Sequence, residues 1–546
     1  MSKRVMRLLA LLFAFSLVAA ACGDSDGGSD DTSTGDATEA APADEEEEED
    51  DSSIGGGLTQ DALDEEEEEE EDMTEEEMAD EEEMAEIDTS TMAGLEEAWA
   101  LNRQGIVDRL TEEINAGTMG VDADGILHGP AGFTIDMNDC PGDWSDTTGV
   151  TDSEIRLGHT TAQSGNLAAY GNIAVGWQSY INYVNDNGGI GGRDIILLVK
   201  DDGYVAAQTI EFIDELIEAE NVFSVVTLGS PNTLATYDKI NAECVPQPFS
   251  MTGHPAWGDP VNHPWTTGLQ LSYSTEALLW GNWIKQNLAS ELPVVVSGLV
   301  MDNDFGLAYE KGFEAYAEAN PDVVAEFIPI RHDPAAPTLT NEVTTVAASD
   351  PDVFISMTAG NPCLLAIQEV EKAGLLETLD AYFTPSVCKG IAAYMEPAGP
   401  AADGWNIVGG GAKDTTDPNY IDEPFIAFLN GQLEKDGLDP SISLLGTGFL
   451  YGWPNIEVLR IADALPGGLS RTNFILALRS YSGTHPLQLD GMSFGVDGND
   501  DSFFIEGSDF SIFDADTQSW TIVGDIVDVN GGSPNCAWDK DNGGCR

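Results

Sequence analysis

Basic residues are scarce in this chain. Its 546 residues include 21 Lys and Arg against 98 Asp and Glu, which gives a formal net charge of −77. A negative field of this size repels nucleic acid and anionic lipid, so it argues against a nucleic-acid-binding function. The charge is typical of proteins that stay soluble at high salt, and a well-hydrated surface explains it equally.

The sequence also lacks the motifs of common enzyme classes. It has no P-loop, no Gly-x-Ser-x-Gly elbow and no persuasive catalytic triad. His254 and His263 do not have the helical spacing of a zinc site, and the stretch Asp497–Asp501 lacks the distal Glu of a calcium loop. We therefore expect no enzyme activity, cofactor or metal site, and we interpret Asp497–Asp501 as a polar hairpin turn.

Only one apolar run approaches the length of a membrane span. It extends from Leu8 to Ala21, follows a Lys/Arg-containing start, and is too short for a transmembrane helix but typical of a signal peptide. It ends in VAAACG, and small residues directly before Cys22 resemble the lipobox of bacterial lipoproteins. This resemblance implies a signal peptide over 1–21 and a lipid on the Cys22 sulfur. An ordinary signal peptide, cut after Ala-x-Ala, is the alternative.

The stretch 22–90 has low complexity. Between Asp24 and Asp88 it contains 33 Asp and Glu and no Lys or Arg. Its charges repel one another and it has too few apolar residues to form a core, which predicts an acidic, disordered tether. A cation-binding polyanion is the alternative. We expect an exported protein, held by its lipid at the outer face of the cytoplasmic membrane without any membrane-spanning helix.

A short extension, 91–148, precedes the main body. Apolar residues recur at helical spacing from Leu95 to Ala116, and Gly117 is a plausible helix stop. The Gly- and Asp-rich stretch that follows, up to Trp144, predicts a loop. The helix is expected to pack on the main body.

Six Cys remain if Cys22 carries a lipid, and an even number in an exported chain indicates disulfides. Six Cys allow fifteen pairings, so spacing alone does not decide among them. We expect the pairs Cys363–Cys388 and Cys536–Cys545, which leave Cys140 and Cys244 as the third pair. Several free buried thiols are the alternative.

From Gly149 onward, predicted strands alternate with predicted helices. Apolar strand-like runs occur at 155–157, 195–199, 222–228, 293–301, 323–330, 353–357 and 381–383, with helical stripes at 170–184, 210–217, 305–319 and 364–373. This order predicts an α/β fold with parallel sheets and right-handed crossovers. Ligands of such sheets bind at the carboxyl ends of the strands.

Several motifs resemble a known family when they are read in order. They are GVTDSEIRLGHTTAQSGNLAAYG, INYVNDNGGIGGRDIILLVKDD, VVTLGSPNT, MDNDFG, EKAGL and DGMSFGVDGNDDSFFIEGSDFSIFD. In this order they are similar to the leucine/isoleucine/valine-binding family of ABC-transporter substrate-binding proteins, over about 149–528. The resemblance implies a type I periplasmic-binding fold, in which two lobes close around a small solute. It also implies a monomer that docks on the subunits of an ABC permease.

The resemblance implies a domain division. Lobe 1 is expected to comprise 149–270 and 411–490, and lobe 2 to comprise 271–410 and 491–530. The remaining residues, 531–546, form a Cys-containing C-terminal tail.

The same resemblance implies the solute site. Two strand-end turns of lobe 1 and four residues of lobe 2 match the family's ligand contacts; these residues are Ser230, Pro231, Asn232, Ser250, Met251, Thr252, Phe305, Gly360, Asn361 and Ser386. Backbone N–H groups and short hydroxyls suit a carboxylate or amide oxygen. Trp257, Tyr451 and Trp453 are candidates for the mouth of the cleft, with ordinary packing as their alternative role.

At the position of Ser386, relatives that bind amino acids place a carboxylate against the ligand's ammonium group. The segment around Ser386 has no Asp or Glu, so an amide, urea-like molecule or small carboxylate is as credible as an amino acid, unless Asp302 or Asp304 supplies the charge. The sequence therefore predicts a solute-binding lipoprotein of a transporter. A sensing co-receptor of the same fold is the alternative.

Overall fold

A computed structural model describes residues 87–528, 531–540 and 542–546. The predicted signal peptide, the lipidation site Cys22 and nearly all of the acidic tether lie outside these residues. No helix in the described ranges is both long and apolar enough to cross a membrane.

Helices of the described chain follow in order. They are α1 (Met92–Ala116), α2 (Gly171–Asp186), α3 (Ala206–Asp214), α4 (Ser230–Leu234), α5 (Tyr237–Ala242), α6 (Tyr273–Asn287), α7 (Asp304–Ala319), α8 (Thr340–Ala348), α9 (Asn361–Lys372), α10 (Glu396–Ala398), α11 (Pro424–Lys435), α12 (Leu445–Ala464) and α13 (Arg471–Arg479).

Strands up to the end of the first half are short except for two. They are β1 (Gly120–Val121), β2 (Ile126–His128), β3 (Thr134–Asp136), β4 (Glu154–Thr161), β5 (Asp194–Asp201), β6 (Ser224–Thr227), β7 (Gln247–Ser250) and β8 (Thr266–Gly268).

Strands of the second half and the tail complete the set. They are β9 (Val294–Met301), β10 (Val324–His332), β11 (Val353–Met357), β12 (Ala381–Thr384), β13 (Asn406–Val408), β14 (Ser482–Gly483), β15 (Phe494–Gly495), β16 (Gly507–Ser508), β17 (Phe510–Asp514), β18 (Ser519–Ile522), β19 (Val527–Asp528), β20 (Trp538–Asp539) and β21 (Gly544–Cys545).

Helix α1 confirms the helix predicted in the extension. Its N-cap Thr91 accepts a hydrogen bond from the N–H of Gly94, and Gly117 ends it with φ 76°, a left-handed conformation that glycine adopts without steric cost. Trp99 packs against the rings of Phe425 and Trp453. The helix is therefore anchored on the main body by aromatic contacts.

The loop predicted after α1 is wrong for residues 120–136. Strands β1, β2 and β3 form a small antiparallel sheet there, in which Leu127 pairs with Ile135 and both side chains are buried. Phe133, in the connection between β2 and β3, is buried as well. These three apolar side chains supply enough burial for a sheet despite the many Gly and Asp nearby.

Two parallel sheets carry the main body, as the alternating pattern predicts. In the first sheet, β4 lies between β5 and β6; a bridge between Leu228 and Met251 adds β7, which pairs with β8. The second sheet has the order β10-β9-β11-β12-β13-β17-β18, parallel up to β13 and antiparallel for its last two strands. The inner strands β6, β9 and β11 are buried on both faces, which explains their nearly continuous apolar sequences, whereas the edge strands β5 and β10 are partly exposed.

Helices α2 and α12 pack closely beside the first sheet. A side chain at Gly448 would collide with the backbone of Trp177, and one at Gly452 would lie 2.8 Å from its ring. Glycine at these two positions therefore allows the helices to approach. The chain thus returns to the first half after β13, before it supplies β17 and β18 to the second sheet.

All three expected disulfides are present in the structure. Cys140–Cys244, Cys363–Cys388 and Cys536–Cys545 have Cα–Cα distances of 5.6, 5.8 and 4.9 Å. The first ties the extension to the first half, and the third closes a hairpin of β20 and β21 in the tail.

Candidate ligand-binding cleft

A cavity of about 160 Å³ lies where the carboxyl ends of the two sheets face one another. Leu228 and Gly229 follow β6, Met251 follows β7, and Ala359 and Ser386 follow β11 and β12. The α/β architecture explains this position, because the residues after parallel strands gather at one edge of the sheet.

Aromatic side chains form much of the cavity wall. Four tyrosines and one phenylalanine line it: Tyr170, Tyr204, Tyr273, Tyr451 and Phe305. The rings of Tyr273 and Phe305 meet edge to face, with 5.0 Å between their centroids. Such a wall offers a large apolar surface with few torsions to immobilise, so it suits a ring or a branched aliphatic group.

Tyr204 occupies an unusual backbone position at this wall. Its φ is 63°, in the left-handed region that a bulky residue rarely adopts. Gly229 has φ 94°, and a side chain there would collide with the Tyr204 ring. The pair therefore depends on a strained tyrosine and a glycine that makes room for it. Sequence reasoning missed Tyr204; its only signal was its place at the end of β5, next to Gly203.

Contacts between the two halves close the cleft. The Asn166 side-chain amide donates to the carbonyl of Pro334 at 3.0 Å, and the N–H of Gly360 donates to the Tyr170 hydroxyl at 3.3 Å. A side chain at Gly360, where φ is 67°, would lie 3.0 Å from Leu167. The two halves therefore touch each other beside the cavity.

Three of the predicted site residues line this cavity, namely Met251, Phe305 and Ser386. The other seven do not line it; they are Ser230, Pro231, Asn232, Ser250, Thr252, Gly360 and Asn361. Their positions next to lining residues explain the difference, because consecutive residues of a strand-end turn point to different sides.

Hydrogen bonds behind the wall occupy several of these seven side chains. The hydroxyls of Ser230 and Thr252 bond each other at 2.7 Å, and the Asn232 amide donates to Asp202 at 3.0 Å. Ser230, Thr252 and Asn232 are fully buried. They lie behind the cavity wall at Gly229 and Met251 and do not line the cavity.

A buried carboxylate lies directly behind Ser386. Glu276, on α6, accepts hydrogen bonds from the Ser386 N–H at 2.7 Å, from the Ser386 hydroxyl at 2.8 Å and from the Tyr309 hydroxyl at 2.7 Å. Burial raises the pKa of Glu276 to about 7, although these hydrogen bonds act in the opposite direction and lower the pKa. The segment around Ser386 itself contains no Asp or Glu, as the sequence shows, but the fold brings Glu276 to Ser386 from 110 residues earlier.

The acids proposed for this role do not line the cavity. Asp302 lies 3.6 Å from Arg331 in an ion pair, and Asp304 is in the first turn of α7 with a pKa raised by partial burial. Both lysines of the cavity wall are engaged with carboxylates: Lys389 with Asp509 at 3.2 Å and Lys413 with Glu423 at 2.7 Å.

The disulfide Cys363–Cys388 joins two turns of the cavity wall. It links the start of α9, after Gly360, to the short turn that contains Ser386. Cross-linking limits the separation of these two turns, which places Ser386 reproducibly at the cavity.

Other candidate residues take different places. Tyr451 lines the cavity, whereas Trp257 and Trp453 are buried in the hydrophobic core. His254 is buried, which lowers its pKa to about 3, and His263 bonds Asp259 and Asp238. No group of three or more metal-binding side chains is placed to hold a metal ion within the described ranges.

Comparison with known proteins relates part of the chain to a family. The sequence profile of the family described as periplasmic binding protein matches residues 154–419. No match is found among curated protein sequences.

Solved structures share the fold. A fatty acid ABC transporter substrate-binding protein from Thermomonospora curvata is 19% identical with a TM-score of 0.59, over 72% of this chain and 97% of that one. A branched chain amino acid ABC transporter from Thermus thermophilus, with bound valine, is 15% identical with a TM-score of 0.59, over 69% and 97%.

A third structure extends the range of ligands seen on this fold. It is a solute binding protein of an ABC transporter from Rhodopseudomonas palustris HaA2 in complex with p-hydroxybenzoic acid, 15% identical with a TM-score of 0.57, over 69% of this chain and 98% of that one. These similarities confirm the fold and the resemblance inferred from the sequence. The chain therefore has the type I periplasmic-binding-protein fold, and its residues 154–419 match the sequence profile of the periplasmic binding protein family.

Proposed function

We propose that this protein is an exported solute-binding lipoprotein that captures one small molecule between its lobes and delivers it to an ABC permease. The observation that carries the proposal is the aromatic-lined cavity at the carboxyl ends of both sheets. When a pocket is built from two halves, some contacts to the solute form only after the halves close. Solute binding therefore favours the closed conformation, and the permease can distinguish the loaded protein by its shape.

The cavity size limits the solute. An apolar cavity of about 150 Å³ accommodates benzene, and the cavity here has about 160 Å³. We infer a molecule with one ring or one branched aliphatic group, within the classes of amino acids, amides, urea-like molecules and small carboxylates. The valine and p-hydroxybenzoic acid in two of the structures above have this size. Met251, Phe305 and Ser386, with Tyr204, are the proposed contacts.

The cellular arrangement is also part of the proposal. Cys22 carries the lipid, the acidic stretch 22–90 spaces the binding domain from the membrane, and the two lobes follow the boundaries given above. Monomeric protein is sufficient, because both walls of the cavity come from one chain.

A solute panel tests the proposal. Protein unfolded and refolded to remove bound molecules is mixed with amino acids, amides, ureas and small aromatic acids, and its unfolding temperature and Trp fluorescence are measured. A solute at 100 times its Kd stabilises the folded state by about 2.7 kcal/mol. No response to any solute, together with no co-purifying molecule in mass spectrometry, would refute a solute-binding function.

A matched pair of variants tests the location. Met251→Trp fills the cavity and is expected to abolish the response, whereas Val261→Trp adds the same ring at a side chain that is 68% exposed and leaves the response intact. Equal binding by both variants would place the site elsewhere.

A further inference from the structure

One end of the cavity has a defined hydrogen-bond polarity, and it is set by residues outside the cavity wall. Ser386 lines the cavity, and Glu276 lies behind it with no exposed surface. Glu276 meets the backbone N–H and the hydroxyl of Ser386, so both polar hydrogens of this residue are directed away from the cavity.

The hydrogen positions follow from the chemistry of the partners. An ionised carboxylate only accepts hydrogen bonds, and a serine hydroxyl has a single hydrogen. When Ser386 donates that hydrogen to Glu276, its oxygen retains only lone pairs for the cavity. The hydroxyl of Tyr309 donates to the same carboxylate oxygen, so Glu276 is held by three donors and does not need to rotate toward the solute.

We propose that Glu276 is a positioning residue that fixes Ser386 as a hydrogen-bond acceptor, so that the solute presents a hydroxyl or N–H donor at this end of the cavity. The inference rests on the proposed function, because it assigns a chemical property to the same solute. It does not need an acid in the wall itself, since the polarity is relayed through the Ser386 hydroxyl.

The charge near Ser386 agrees with this assignment. All three groups that donate hydrogen bonds to Glu276 are neutral, so none of these bonds pairs its negative charge with a positive one. A hydrogen-bond donor of the solute, whose hydrogen is partly positive, is favoured by that charge, and an acceptor oxygen is repelled. Burial raises the pKa of Glu276 to about 7, so pH 8.0 keeps it largely ionised for a test.

Glu276→Gln reverses the polarity with little change of shape. The glutamine oxygen accepts from the Ser386 N–H, and its amide group then donates toward the Ser386 and Tyr309 hydroxyls. The Ser386 hydrogen is released into the cavity. Tyr316→Phe is a matched control, because Tyr316 is on the same helix as Tyr309 and its buried hydroxyl has no hydrogen-bond partner in the described part of the chain.

The probes are cyclohexanol and cyclohexanone, which differ by two hydrogens and have one ring. Their Kd values are measured by ligand-observed NMR titration of refolded, solute-free protein at pH 8.0. The wild type and Tyr316→Phe are expected to bind the alcohol at least tenfold more tightly, because the ketone places an acceptor against an acceptor. In Glu276→Gln the ketone is expected to gain about tenfold, while the alcohol changes by less than threefold.

Ser386→Ala provides a second readout if Glu276→Gln does not fold. Without the Ser386 oxygen, the alcohol's advantage is expected to fall below threefold. Equal binding of both probes by the wild type, or an unchanged ratio in Glu276→Gln and Ser386→Ala, would overturn the inference and leave the proposed function in place. If the protein responds to the solute panel but binds neither probe, the inference is also overturned. If it responds to neither the panel nor the probes, the proposed function itself is refuted.

Discussion

Glu276→Gln is also expected to change how stability depends on pH. The Glu276 carboxyl has an ordinary pKa of 4.5, and burial in the folded protein raises this pKa to about 7. Its side chain is fully buried among α6, α7 and the turn at Ser386, where the hydroxyls of Ser386 and Tyr309 bond it. The titratable groups that interact with it electrostatically are Tyr309 and Tyr273. The pKa values of both tyrosines are raised, so they stay neutral below pH 8.

The sign follows from proton linkage. The folded state binds this proton more tightly than the unfolded chain, so the stabilisation is fully present below pH 4.5 and is lost as the pH rises through 7. A difference of about 2.5 pKa units at 1.36 kcal/mol each corresponds to about 3 kcal/mol in total, most of it between pH 5 and 8. Glutamine does not titrate and lacks this dependence.

Urea unfolding at pH 5, 6, 7 and 8, followed by Trp fluorescence and circular dichroism, measures the effect. The stability of Glu276→Gln relative to wild type is expected to rise by about 2–3 kcal/mol from pH 5 to pH 8. Burial also raises the pKa of Glu506 to about 7 and of Asp501 to about 8, but both groups are present in the two proteins and cancel in the difference. Tyr316→Phe should give a flat difference. A flat difference for Glu276→Gln would show that the carboxyl is not buried as described.

Three further predictions concern the cleft and the anchor. Ser230→Ala and Thr252→Val should each lower the free energy of unfolding by about 1–3 kcal/mol. The double variant should lower it by less than the sum, because removing both partners of a buried hydrogen bond leaves no unpaired hydroxyl. Additive losses in urea unfolding would contradict their pairing. Gly360→Val should weaken solute binding at least tenfold with secondary structure unchanged, since its side chain would meet Leu167 and oppose closure. A solute affinity equal to that of the wild type, measured by calorimetry, would refute this. Cys22→Ser should move the protein from the membrane fraction to the soluble fraction and remove fatty-acid labelling; retained labelling would disprove the lipid site.

Much of the fold was predictable because its signals are local. Strands β4, β5 and β11 contain apolar runs that start at Ile155, Ile195 and Val353, and such runs are recognisable without knowing what covers them. The small sheet of β1–β3 was missed because its pattern is short and interrupted by Gly and Asp. Its stability comes from the pairing of Leu127 with Ile135, which is a contact between strands rather than a property of either one.

The site was predictable only in part. Met251, Phe305 and Ser386 line the cavity, because the residues after parallel strands gather at one edge of a sheet, and their contact with a solute stays a prediction. Ser230 and Thr252 instead bond each other behind the wall. Neighbouring residues in a tight turn point in different directions, and their order in the sequence does not reveal which one faces the solute.

The sequence by itself determined the α/β architecture and the periplasmic-binding resemblance, since each depends on local pattern or on motif order. Only the tertiary structure decided that Tyr204 forms part of the cavity, that Gly360 touches the opposite lobe, and that Glu276 stands behind Ser386. The physical reason is that hydrogen-bond polarity and burial are properties of groups brought together by packing, and Glu276 and Ser386 meet across 110 residues of chain.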